Sequence, residues 1–195
     1  MQEAPANSVH PLTRAEWRAW LERHHTRTEG VWLISFKRSL GRPRVEYEEA
    51  VEEALCFGWI DGRMGKLDEQ RSMQWFSPRR PRSTWSRSNR ERVERLIAAG
   101  LMTPAGLAKI EAAKQSGAWN ALEPAEALEM PPDLEAALAS RESARERFER
   151  YPRSTRRGLL GWIASAKKPE TRAQRVQEVA RLAKEGVRLT EPPRA

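Results

Sequence analysis

The chain reads as an α+β protein: a small antiparallel sheet with packed helices in the N-terminal part, followed by an all-helical C-terminal part. Three observations predict this. Runs rich in β-branched and aromatic residues lie at 31–37, 59–64 and 71–77. Apolar stripes at helical spacing accompany them and continue alone beyond the last run. A Pro-containing acidic stretch then separates two helical regions. The expected organisation is an α+β domain over 13–119 with a basic Pro-rich loop, a linker over 120–132 and a helical domain over 133–188.

Residues 1–12 carry no periodic pattern and are expected to be loose. Thr13 with Glu16 forms a capping box, and Trp17, Trp20 and Leu21 share a face, which predicts a helix over 14–25. Gly30 precedes the first strand, and Gly41 and Pro43 mark a turn. Tyr47, Ala50, Val51, Ala54 and Leu55 make a helical stripe that Gly58 ends. Trp59-Ile60 followed by Asp61-Gly62 suggests a short strand and a tight turn. The runs 59–64 and 71–77 can form a hairpin whose loop contains Gly65. Pro78 and Pro81 then stop sheet pairing. Ser86 or Ser88 can cap a helix carrying Val93, Leu96 and Ile97, with Gly100 past its end. Thr103-Pro104 opens another helix through Leu107 and Ile110 to Gly117. The last third predicts helices near 133–139, 141–150, 155–166 and 170–185, with Ser154 capping the third. That helix would turn Leu159, Trp162, Ile163 and Ala166 to the core. Residues 189–195 are expected to fray.

A chain of 195 residues can bury a core without disulfides or metal. Only 39% of it is apolar, but 8 Trp add large buried areas. No apolar run is long enough for a membrane span, and the first residues lack the pattern of a signal peptide. One Cys cannot form an internal disulfide or a zinc-ligand set. Together these features predict a cytoplasmic protein. The net charge of +8 is uneven: residues 75–95 hold 7 Arg against 2 Glu, whereas 121–139 hold 5 acids and no base. Such balance suits a nucleic acid or another polyanion. Arg also outnumbers Lys 28 to 7, a bias that composition alone can produce.

Motifs for nucleotide loops, nucleophile elbows and metal sites are missing, so no catalytic residue, cofactor or metal is assigned. Cys56 lies near a helix C-terminus, where the dipole disfavours a thiolate, and reads as structural. His24 and His25 are adjacent and point apart on a helix, a poor chelate. Asp61, Asp68 and Glu69 flank the hairpin loop. They could do acid–base work, or Asp61 could make an Asx-turn with Gly62. The better candidate is 79–89, because anions are held by Arg forks, hydroxyls and N–H groups at a helix start. There Arg79, Arg80 and Arg82 precede Ser83, Trp85, Ser86 and Asn89. Trp85 could stack on a ligand, or plug the core while Ser86 or Ser88 caps the helix.

The stretches Glu53-Ala-Leu-Cys-Phe-Gly-Trp-Ile-Asp-Gly62, Phe76-Ser-Pro-Arg-Arg-Pro81, Trp85-Ser86, Asn89 and Met102-Thr-Pro-Ala-Gly106 resemble the YdeI or OmpD-associated family. Its members are also labelled bacteriocin-protection proteins. Pro152-Arg-Ser-Thr-Arg156, Trp162-Ile163 and Ala166-Lys-Lys-Pro-Glu-Thr-Arg172 are similar to that family's C-terminal domain, and the likeness spans about 15–188. Gly158 and Leu159 stand where the family often has an aromatic. The resemblance implies a bacterial stress-protection role, in tolerance of bacteriocins or cationic peptides, and carries no catalytic residue. With the basic 79–89 segment, the expected function is that of a soluble, non-enzymatic stress-protection protein that binds an anionic small molecule at the junction of sheet and loop-helix. Its site would be lined by Trp59, Asp61, Phe76, Arg79, Arg80, Arg82, Ser83, Trp85 and Asn89. The alternatives are a nucleic-acid-binding protein that uses its basic faces, and a small-molecule enzyme that uses Asp61 with the Arg cluster.

Overall fold

A computed structural model describes residues 3–187; the expected fraying at 189–195 lies outside them. The chain divides into two units. One holds the residues up to Ser83 together with Ser88–Ser116, the other Thr84–Arg87 with the residues from Gly117 on.

The first unit is α+β. Helix α1 (Arg14–His24) begins where Thr13 accepts from the Glu16 N–H. The Glu16 carboxylate reaches back to the Leu12 N–H at 2.7 Å rather than to Thr13. Helix α2 (Tyr47–Cys56) opens with a reciprocal Glu46–Glu49 capping box. The sheet contains β1 (Ser8–Val9), β2 (Val31–Phe36), β3 (Trp59–Lys66) and β4 (Arg71–Pro78), in the order β1-β2-β4-β3. It is antiparallel except for β1, which runs parallel to β2.

Residues 8–9 are therefore not loose. The free edge of β2 needs acceptors, and the Trp32 N–H finds the Asn7 carbonyl at 3.0 Å. The expected turn at Asp61-Gly62 is instead an irregularity within β3, between Asp61 and Met64, so Gly65 is paired in the strand, opposite Met73.

Alternation along β2 and β4 sorts the two faces. Val31 lies opposite Phe76, and the Trp17 ring from α1 stands 5.4 Å from that of Phe76. Trp17, Trp59 and Phe76 are all fully buried. The two indole N–H groups are satisfied, Trp17 by Ala50 O and Trp59 by His25 O, each at 3.0 Å. Helices α3 (Arg87–Ala98) and α4 (Pro104–Gln115) complete the unit. Val93, Leu96 and Ile110 are buried as their stripes predict, but Ile97 and Leu107 are exposed.

The second unit is helical: α5 (Glu123–Glu126), α6 (Pro132–Ala139), α7 (Ala144–Glu149), α8 (Arg153–Ala164) and α9 (Pro169–Glu185). Its core joins Leu134, Leu138, Phe148, Leu159, Ile163, Val176 and Val179, with Ala125 of α5 included. Helix α8 starts one residue before Ser154, and Pro152 rather than Ser154 occupies the cap, without a side-chain bond. Trp162 is only partly buried, packed on that core with the Arg175 guanidinium 4.9 Å from its ring. Among the described residues, no helix is long and apolar enough to cross a membrane.

Candidate functional site

The motifs around Cys56 and Thr103 first set the geometry. Gly58 turns the chain out of α2 with φ +75°. A Cβ there would meet Lys109 Cγ at 2.7 Å and Ala105 O at 3.1 Å. One turn earlier in α4, a Cβ on Gly106 would lie 2.3 Å from Cys56 O. The same carbonyl accepts from the Thr103 hydroxyl at 2.6 Å and from the Thr103 N–H at 3.2 Å. Thr103 also caps α4 by accepting from the Gly106 N–H. These small residues seat the start of α4 directly on the end of α2. Cys56 is buried, and burial with the nearby Glu53 carboxylate pushes its thiol up to about 11, which disfavours the thiolate.

That seating brings Lys109 to a cleft of about 740 Å³ in the first unit. The other walls come from the α1–β2 connection (His25 to Gly30), the α2–β3 turn (Phe57 to Trp59), and β4 with its exit (Trp75 and Ser77 to Pro81). Asn7 closes one side, donating to Gly30 O and accepting from Arg27 Nη2 at 3.1 Å.

The cleft is electropositive. Arg27, Arg79, Arg80 and Lys109 line it against one carboxylate, Glu29, which sits 3.6 Å from Arg27. Arg79 is 3% exposed, its N–H anchored on Gly58 O at 2.9 Å. Burial pushes its guanidinium down to about 10, with the Asp61 carboxylate opposing the shift. It thus keeps its charge at neutral pH. Arg80 and Lys109 are exposed, and among the described residues their side chains make no ion pair or hydrogen bond. Four basic residues, two of them with uncommitted side chains, thus line one concavity, and such a set suits phosphate, sulfate or carboxylate.

Of the nine residues expected to line a site, Trp59, Arg79 and Arg80 reach this cleft. Phe76 is fully buried against Trp17 and does not line it. Asp61 accepts from the Tyr47 hydroxyl at 2.8 Å. Asn89 is buried and accepts from Arg92, whose guanidinium forks onto Glu48 at 2.7 and 2.8 Å. Arg82 and Ser83 lie on the loop beyond the cleft, Arg82 with φ 60°. Trp85 belongs to the second unit. It is 1% exposed and packs 5.0 Å from Trp119, so its ring offers no face to a ligand.

Sequence reasoning missed Arg27, Trp75 and Lys109. Lys109 follows Gly106 by three residues, so the helical period of the Thr103 motif was the available signal. Arg27 and Trp75 carry no local signal of their own. Among the described residues, no group of three or more His, Cys, Asp or Glu is placed to hold a metal ion.

Residues 9–109, just over half of the chain, match the family described as Domain of unknown function (DUF8412), and the chain belongs to that family. Residues 127–186 match the family described as Bacteriocin-protection, YdeI or OmpD-Associated. The second match covers the C-terminal helices, while the motifs around Cys56, Arg79 and Thr103 fall within the first. No curated protein and no solved structure matches this chain.

Proposed function

We propose that this protein is a bacterial stress-protection protein that works by binding a small anion in the cleft of its first unit. One observation supports the reading above others. Four basic residues line a single concavity against one acidic residue, with the side chains of Arg80 and Lys109 uncommitted among the described residues. The protective context comes from the bacteriocin-protection description of the family matched by residues 127–186. A cationic peptide does not suit the cleft itself, because the charges share a sign.

The test is calorimetric titration of the full chain with inorganic phosphate and ribose 5-phosphate. The double variant Arg80→Ala, Lys109→Ala should weaken binding by roughly tenfold or more. Its melting temperature should not move, because both side chains are exposed. Arg145→Ala, in a surface pair of α7, serves as the control and should change nothing. Binding that survives the double change, or that never occurs, overturns the reading.

A further inference from the structure

The cleft runs on to the second face of the sheet at Trp75 and Ser77. Trp75 and Trp32 are directly paired residues of β4 and β2. They therefore project from the same face, opposite the one where Trp17 meets Phe76. Trp75 is only partly buried, and it is also a wall of the cleft.

Two glycines make room for it. A Cβ on Gly30 would lie 2.3 Å from Trp75 Cζ2, and one on Gly62 would lie 3.1 Å from Trp75 Cδ1. The indole thus lies across the strands with a glycine under each end. Trp32 meets it edge-on, with centroids 5.1 Å apart and planes at 67°. The Arg63 guanidinium stands 5.1 Å from the Trp32 ring. The result is an aromatic corner adjoining a cluster of cations.

Resting on the anion-cleft reading, we infer that the ligand is a nucleoside phosphate, its phosphate held by Arg79, Arg80 and Lys109 and its base stacked on Trp75. A bare anion would use the cations and leave the indole idle. A flat base uses both, because every base has a π-face and stacking on an aromatic side chain tolerates any of them. The cleft volume of about 740 Å³ lies within the range of small-molecule sites and far exceeds what one phosphate fills. Thr26, Thr28 and Ser77 line the same space, and their hydroxyls are groups that can meet those of a ribose. A free nucleotide and the end of a single strand present the same groups.

The experiment compares inorganic phosphate, ribose 5-phosphate, AMP and a short oligoadenylate on the full chain by calorimetry. AMP should bind roughly tenfold or more tightly than ribose 5-phosphate, the gain expected from one stacked base. Trp75→Ala should erase that advantage and leave ribose 5-phosphate unchanged, and Arg80→Glu should weaken all four ligands. If Trp75→Ala does not fold, the ligand order on the unaltered protein decides. Equal binding of AMP and ribose 5-phosphate overturns the nucleoside assignment and leaves the anion cleft standing. Failure of all four overturns both. An oligoadenylate that binds more tightly than AMP, with steep salt dependence, identifies a single strand as the source. Parity identifies the free nucleotide.

Discussion

The two units use similar charges to different ends. In the helical unit, arginines of α7, of its C-terminal cap and of α9 are engaged at the surface. Arg145 meets Glu135 and Glu149, Arg150 meets Glu146, Arg172 meets Asp133, and Arg181 meets Glu178 and Glu185. In the α+β unit the carboxylates of α2 draw in Arg14, Arg18, Arg92 and Arg95, while Arg80 and Lys109 remain at the cleft. Net charge is therefore a poor guide to binding. What matters is which cations remain after pairing, and whether a concavity gathers them.

The cores differ in the same sense. The helical unit packs aliphatic side chains with many alanines, among them Ala137, Ala144, Ala180 and Ala183. The α+β unit builds on Trp17, Trp59 and Phe76. Rings with anchored N–H groups hold their orientation, and Trp59 is both core and cleft wall.

The sharpest break of this comparison is Gly106→Val. The new side chain would collide with the Cys56 carbonyl, a backbone atom already held by Thr103. A loss of about 3 kcal/mol or more is expected in urea unfolding, with phosphate binding lost as Lys109 is displaced. An unchanged midpoint would show that the α2–α4 seat is loose. Next comes Glu53→Gln. Glu53 is 2% exposed and accepts from Arg14 and Arg18, each at 2.6 Å. Removing its charge should cost about 2 kcal/mol, because two charge-assisted hydrogen bonds become neutral ones while Arg14 and Arg18 keep about a third of their surface in water. Asp133→Asn breaks the partly exposed pair with Arg172 in the other unit and should stay within about 1 kcal/mol. Similar losses at the two sites would remove the distinction between buried and surface pairing.

Gly161→Ala on α8 should move stability the other way. A Cβ there has open space, so a gain of up to about 1 kcal/mol is expected. The smallest effect is a titration. Burial and the Asp61 carboxylate push the Tyr47 phenol up to about 12, from an ordinary 10.0. A raised pKa favours the protonated form in the folded protein. Its contribution is complete below about pH 10 and is lost as pH climbs through about 12. Asp61→Asn should draw the phenolate transition, followed by absorbance, back toward its ordinary range. A transition that does not move would mean that burial alone sets it.

Much of the local structure was legible. The Thr13 cap, the α2 stripe and the Thr103-Pro104 start each leave residues of one type at one spacing, and local hydrogen bonds enforce them. The site was legible only in part. Arg79 and Arg80 were chosen for charge and position, and they line the cleft. Trp85 was chosen because it follows them closely, but nearness along a chain does not tell which core takes a ring. It packs against Trp119, 34 positions onward.

The order of the longer helices and strands, the Thr13 and Thr103 caps and the excess of positive charge are properties of the sequence by itself, because each depends on contacts within a few residues or on composition. Tertiary structure alone decided that β1 covers the edge of β2, that Trp75 rather than Trp85 lines the cleft, and that Arg27 and Lys109 share that cleft with Arg79. Those outcomes depend on strand register and on helix ends that touch across long loops, and no short stretch of chain encodes either.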